Sequence, residues 1–157
     1  MVMAGLPVKP LESVVWAALH DVHDPEIPTI SVVDLGVIGG VATDDGRIRV
    51  ELLPTFVGCP AIAVLQDSIT ERLRVLADDV RVDISFARPW TTDRITAAGR
   101  AALRAAGFAP PSDDPVAECP YCGSRDTRMD NAFGPTLCRA IYYCRACRQP
   151  FEQFKLV

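Results

Sequence analysis

No hydrophobic run in this chain of 157 residues is long enough to cross a membrane as a helix. The longest stretch without a charge, Leu52 to Gln66, is broken by Pro54, Gly58 and Pro60 and falls short of the roughly 20 apolar residues a bilayer requires. The opening residues, Met-Val-Met-Ala-Gly-Leu-Pro, lack the basic start and apolar core of a secretory signal, so the cytoplasm is the expected location. Internal repeats are missing too, as is any low-complexity tract beyond one short proline-rich segment. Positive charge is in deficit: the formal net charge of -4 argues against a general nucleic-acid binder. Cysteine is nearly absent from the first 117 residues, where Cys59 stands alone.

What is present is unevenly spread. Residues 118–157 carry five of the six cysteines and six of the eleven aromatics, with six basic residues against four acidic ones. Residues 1–117 hold ten basic and sixteen acidic residues. Cytosolic thiols are kept reduced, so this crowding of cysteine points to a metal rather than to disulfides. Ala109-Pro-Pro-Ser-Asp-Asp-Pro115 has the makeup of a linker and lies where the composition changes. The expected organisation is an α/β domain over residues 1–108, a linker over 109–117 and a metal-binding ribbon over 118–157.

In the first domain, Leu11, Val14, Val15, Ala18, Leu19 and Val22 follow the spacing of a helix with one buried face, and Pro10 suits its first turn. Asp24-Pro25 and Ile27-Pro28 then force a turning loop, which carries His23, Asp24 and Glu26. Two β-rich runs, 37–43 and 47–53, flank Asp44-Asp45-Gly46, a hairpin signal. Pro60 opens a second helix with Ile62, Leu65, Ile69, Leu73 and Leu76 as its stripe, and alternation over 80–87 gives a third strand. A strand, a helix and a strand imply a parallel pair. Thr92 or Asp93 is the expected cap of a last helix ending at Gly107. The fold class is thus α/β (α+β), a small two-layer domain with a mixed sheet of three or more strands, followed by a four-cysteine zinc ribbon.

Cys119-Pro-Tyr-Cys122 and Cys144-Arg-Ala-Cys147 are two C-x-x-C pairs at the spacing of a four-thiolate metal site. Four filled positions leave no opening for water or substrate, so a structural role is expected, and zinc can supply on the order of 10–16 kcal/mol to so small a module. Iron in a rubredoxin-like site, or a cluster on the same cysteines, is the alternative, because tetrahedral sulfur suits both. Cys138 is surplus to the four. It reads either as a small buried apolar residue or as a substitute ligand or redox partner near the metal.

Cys59, in Thr55-Phe-Val-Gly-Cys-Pro60, lies where a strand ends and a helix begins. With Pro60 as first helical residue, Cys59 is the expected N-cap, facing unpaired backbone N–H groups, a setting that favours reactivity or soft-metal binding. The plainer reading is a compact residue at a tight turn. His20 reads as a helix-surface histidine, and nothing in the sequence brings it or His23 to Cys59 as a catalytic base. His23, Asp24 and Glu26 read as a solvated capping loop, with ligation of a hard metal as the sharper alternative.

Asp24-Pro-Glu26-Ile-Pro28, Asp34-Leu-Gly36-Val-Ile38 and Gly58-Cys59-Pro60-Ala61, in that order, resemble the metal-sulfur cluster assembly domain shared by SufT-like proteins and cytosolic iron-sulfur targeting factors. The tail, with Phe133-Gly-Pro-Thr-Leu-Cys138 and Pro150-Phe-Glu-Gln-Phe-Lys155, is similar to the phenylacetate-degradation protein D family. Together the two resemblances cover nearly the whole chain. They imply a bacterial cytoplasmic protein of aerobic phenylacetate breakdown, where a di-iron oxygenase with a flavin and iron-sulfur reductase epoxidises phenylacetyl-CoA. They imply that Cys59 handles iron or an iron-sulfur cluster transiently, with Asp24, Glu26, Asp34, Thr55 and Gly58 nearby by motif. Val57, where a small or polar residue is expected, departs from the pattern.

Sequence and resemblance agree on a non-catalytic metal-handling protein, and the resemblance implies an accessory factor that matures the iron-sulfur or di-iron centre of the epoxidase. Its expected partners are the oxygenase and reductase subunits and the iron-sulfur assembly machinery, with homodimerisation left open. A stoichiometric, non-catalytic subunit of the epoxidase is the alternative. From a different class, Arg125, Arg128, Arg139, Arg145 and Arg148 among the tyrosines suggest a nucleic-acid-binding ribbon, against which the small net charge of the tail weighs. A thiol-disulfide enzyme is disfavoured because both C-x-x-C pairs are committed to metal.

Overall fold

The structure, a computed structural model, describes residues 11–156; Pro10 and the N-terminal segment read for a signal lie outside the described residues. Helix α1, Glu12–Leu19, buries Val15, Ala18 and Leu19. Strands β1, Ile38–Asp44, and β2, Arg47–Leu52, form the antiparallel hairpin foreseen in the sequence. Both residues of its turn, Asp45 and Gly46, have positive φ (43° and 76°), the geometry that matches the twist of the flanking strands. Helix α2, Ala61–Leu73, presents Ala61, Leu65, Ile69 and Leu73 to the interior at every fourth position. It leads to β3, Asp79–Ile84, which pairs with β2 in parallel, so the three-stranded sheet is mixed.

The last helix differs from expectation. Thr92–Arg94 forms only a short 3-10 turn, Ile95 returns to an extended conformation, and helix α3 runs Ala97–Ala105. Its cap is Thr96, whose Oγ1 accepts from the Gly99 N–H at 2.9 Å. The delay has a physical cause: the chain from 90 to 99 is fastened onto the Asp34-Leu35-Gly36 loop. Trp90 Nε1 donates to the Leu35 carbonyl at 2.9 Å, Arg94 Nε to the Gly36 carbonyl at 2.8 Å, and Thr96 N to the Asp34 carbonyl at 2.9 Å. Gly36 itself has φ +74°, and a Cβ there would lie 2.4 Å from the Arg94 carbonyl oxygen, which leaves room for no side chain.

Beyond α3 the chain enters a second sheet. Strand β4, Phe108–Ala109, pairs in parallel with β7, Pro150–Phe154, which continues through β6, Arg139–Cys144, to β5, Thr127–Asn131, in antiparallel order. Ala109, at the start of the proline-rich segment, is therefore part of the ribbon sheet. The two halves also share a core: Cys138 and Phe154 pack into the apolar cluster of the first domain, where Phe154 meets Trp90 with ring centroids 5.8 Å apart. A second cluster under the ribbon contains Ala117, Tyr142 and Phe151 beside Cys119 and Cys144.

The Asp34 carboxylate binds both sides of the fastening. Ser31 Oγ donates to it at 2.8 Å and Thr96 Oγ1 at 2.7 Å. Burial pushes this carboxyl up, but the hydrogen bonds from Thr96 and Ser31, with His20 and His23 nearby, outweigh that and hold it below its ordinary value. A carboxyl that titrates lower in the folded state contributes stability in full above its unfolded value, about 3.9, and loses it as pH falls through the folded value. Asp34→Ala is expected to lower stability by about 1–3 kcal/mol at pH 7. In urea titrations the gap to wild type should close below about pH 4; an equal gap at both pH values would show that the charge is not responsible.

Candidate functional site

Two groups of sulfur atoms lie in the described residues, and they differ in kind. The first is the set Cys119, Cys122, Cys144 and Cys147, whose sulfurs all lie within 4.8 Å of one another. Backbone bonds shape both knuckles: Gly123 N donates to the Cys119 carbonyl at 2.9 Å, and Cys144 N to the Gln149 carbonyl at 3.0 Å. Sulfur pairs Cys119–Cys147 and Cys122–Cys144 are 3.7 and 3.6 Å apart. Four bonds of about 2.3 Å arranged tetrahedrally require sulfur edges of about 3.8 Å, so the donor set fits one tetrahedral ion such as zinc. Burial pushes the Cys147 thiol up to about 12, while the Cys147 N–H holds Cys144 down at about 7. Binding a cation to all four expels their protons, so metal affinity rises with pH.

Cys138 does not belong to this set. It lies with Cys59 instead, the two lining a cavity of about 220 Å³ where the first domain meets the ribbon. Glu26, Thr55 and Thr136 give its wall polar atoms, and Phe56, Phe133 and Leu137 its apolar surface. Two rim residues are strongly exposed, Phe133 at 70% and Leu137 at 59%. Cys59 arrives here by a tight turn: Gly58 has φ +81°, Cys59 N donates to the Phe56 carbonyl at 3.3 Å, and Ile62 N to the Cys59 carbonyl at 3.3 Å. The N-cap of α2 is Pro60, not Cys59. Proline's fixed φ already suits the helical region, and this shifts the helix start by one residue.

The expected neighbours of Cys59 separate into two groups. Glu26 and Thr55 line the cavity, and Asp24 lines an adjoining one that also contains Cys59 and Cys138. Asp34 lines neither; its carboxylate is used in the fastening described above. Asp24 caps its own loop, Oδ1 accepting from the N–H groups of Glu26 and Ile27 at 2.8 and 2.9 Å. Glu26 meets Arg139 of the ribbon at 3.3 Å, and Arg139 also pairs with Glu152 at 2.9 Å, donates to Thr136 Oγ1 at 2.8 Å and lies over the Phe108 ring. This guanidinium is buried. Arg139 is one of the five arginines that suggest a nucleic-acid-binding ribbon, and in the fold it is withdrawn from the surface; its place beside Cys138, at an otherwise apolar strand start, is the one sequence signal of this burial. Arg125, Arg128 and Arg145 likewise have carboxylate partners within the chain, Asp114, Asp130 and Asp126.

Each half of the chain is similar to known proteins. Residues 12–86 match the family described as iron-sulfur cluster assembly protein, and residues 92–155 match the PaaD zinc beta ribbon domain. Over 151 residues the chain is 35% identical to a protein of Escherichia coli (strain K12) provisionally named as the D component of 1,2-phenylacetyl-CoA epoxidase, covering 91% of this chain and 92% of that one. The chain belongs to the PaaD family. The Fe-S protein maturation auxiliary factor YitW of Bacillus subtilis (strain 168) is 31% identical over 96 residues, 59% of this chain and 93% of its own length. Among solved structures, a conserved hypothetical protein from Thermotoga maritima shares the first domain, with a TM-score of 0.53, 26% identity, and coverage of 60% of this chain and 95% of its own. A domain of unknown function, DUF59, from Bacillus anthracis shows the same fold at a TM-score of 0.55 and 24% identity, over 59% of this chain and 90% of its own. Among the described residues no helix is long and apolar enough to cross a membrane.

The two sulfur groups should behave differently in a metal count. Cys144→Ser is expected to reduce tightly bound metal from one ion per chain to none and to unfold the ribbon, since Cys144 is wholly buried. Cys138→Ser should keep that ion, by elemental analysis after dialysis against a weak chelator. Loss of the ion in Cys138→Ser would return Cys138 to the ligand set.

Proposed function

We propose that the chain is a non-catalytic accessory factor that matures a phenylacetyl-CoA epoxidase, delivering iron or an iron-sulfur cluster to the enzyme's metal centre. The observation that carries this reading is the conjunction of the two halves. An iron-sulfur assembly domain presents Cys59 at the edge of a cavity whose other wall comes from the ribbon of an epoxidase-subunit family. The relatives are named for both sides of this work, one as an epoxidase component and others as Fe-S maturation factors. The ribbon metal, read as zinc, is structural: four thiolates close its coordination, so it binds no substrate and instead supplies the folding energy of the tail. Iron in transit is cargo, and a partly exposed thiol beside an open cavity suits brief possession better than a closed site does.

In this role Cys59 would ligate the cargo, Glu26 and Thr55 would line its path, and the exposed Phe133 and Leu137 would meet the client. The client belongs to the epoxidase system, either the oxygenase or its iron-sulfur reductase. The name of the Escherichia coli relative favours a second reading, a stoichiometric subunit that stays on the oxygenase. Epoxidase produced without this chain should be poor in iron and regain it when the chain is co-produced. Cys59→Ser should fail to restore it, with iron content at least several-fold below the wild-type level. Fully loaded, active epoxidase made without the chain would refute maturation, and fixed-ratio co-purification through turnover would establish the subunit reading.

A further inference from the structure

Six cysteines are present, and the ribbon set accounts for four. The remaining two come from opposite halves of the chain and line the same two adjoining cavities. Cys59 arrives from the strand-to-helix turn of the first domain, while Cys138 lies immediately before β6 of the ribbon. Cys138 is only 8% exposed, and its sulfur touches Thr136 Oγ1 at 3.1 Å. Burial pushes its thiol up. Around them the protein offers little else to a metal. Among the described residues the ribbon cysteines are the only cluster of three or more donors, and the nearby Glu26 is held by Arg139.

We propose that Cys59 and Cys138 act as a pair, the two protein ligands of a transfer site for thiophilic iron, taken as Fe(II) or as a small iron-sulfur cluster. The proposal rests on the reading of the chain as an iron-handling accessory factor and adds the second ligand. Two thiolates are enough to hold a soft cation, yet they leave its other coordination positions to the ligands of an acceptor. The contrast with the ribbon is chemical: four thiolates make a permanent site, two an exchangeable one. On binding Fe(II) or an already assembled cluster, each thiol releases its proton and forms one sulfur–iron bond; the iron keeps its oxidation state, so no electron donor or oxidant is needed. Because one ligand comes from each half, the site exists only while the ribbon is docked on the first domain.

The test uses the full chain with its ribbon metal in place, prepared anaerobically as wild type, Cys59→Ser and Cys138→Ser. One arm supplies Fe(II) alone and the other Fe(III) with sulfide; bound iron, acid-labile sulfide and thiolate-to-iron absorption are read in each. Wild type should take up iron beyond the ribbon ion, with sulfide content showing which form is held, and each serine variant should bind it at least tenfold more weakly. Cys138→Ser binding iron as tightly as wild type, with Cys59→Ser unable to, would overturn the pair and leave the delivery function standing. A wild type that takes up no iron in either arm would also overturn it. Should Cys138→Ser lose its ribbon ion and fold, wild type treated with phenylarsine oxide decides instead: one arsenic linking the Cys59 and Cys138 peptides supports the pair, and its absence overturns it. Paired binding of iron alongside an epoxidase that matures normally without the chain would refute the client and keep the site.

Discussion

The guanidinium of Arg139 is taken out of water between carboxylates from both halves of the chain, Glu26 of the first domain and Glu152 of the ribbon. A buried cation is tolerable only when paired and hydrogen-bonded, and here the second carboxylate, the Thr136 hydroxyl and the face of Phe108 complete its surroundings. Such a group acts less as a source of stability than as a register pin, because a shift of the ribbon would part it from Glu26, while Glu152 and Thr136 move with it. Its immediate neighbour in the chain is Cys138. Pairing of Arg139 with Glu26 therefore holds Cys138 on the side of the ribbon that faces the first domain, where it and Cys59 line one cavity.

Around this pin the structure arranges two sulfur environments that exclude each other's task. The ribbon set is close-packed, with sulfur spacings that match the edges of a metal tetrahedron, and backbone N–H groups curl each knuckle around it. It suits a permanent ion that replaces the core a short tail cannot build. Cys59, by contrast, sits on a turn held open by the positive φ of Gly58, with solvent on one side and apolar rim residues on the other. The ribbon thus has two uses, one as a folded module of its own and one as the second wall of a site that the first domain alone would leave open.

Much of this was legible in the sequence because local chemistry decided it. The β1–β2 hairpin follows from Asp45-Gly46, whose backbones accept positive φ, and the α2 stripe from apolar residues at every fourth position. The four-cysteine cluster follows from two C-x-x-C pairs, since each knuckle is a local object and one ion suffices to join them. The start of α3 was not legible: the expected caps were Thr92 or Asp93, whereas Thr96 caps the helix, placed there by hydrogen bonds reaching back about sixty positions to the 34–36 loop. The Asp34-Leu-Gly36 motif belongs to that same fastening, so a segment grouped with Cys59 by motif serves the packing of α3 instead.

The sequence by itself determined the fold class, the closed metal site and the presence of an isolated cysteine at a glycine turn, because each depends on residues close together in the chain or on an ion that gathers them. Only the tertiary structure decided what Cys138 and Arg139 do. Both sit in a short stretch whose spacing carries no signal; Arg139 pairs with Glu26, 113 positions away, and Cys138 shares a cavity with Cys59, 79 positions away. Burial turned a surface-looking arginine into the pin between halves, and docking of one half on the other brought two unrelated thiols to the walls of one cavity. No periodicity records such a meeting, since it is made by packing two separately patterned surfaces together.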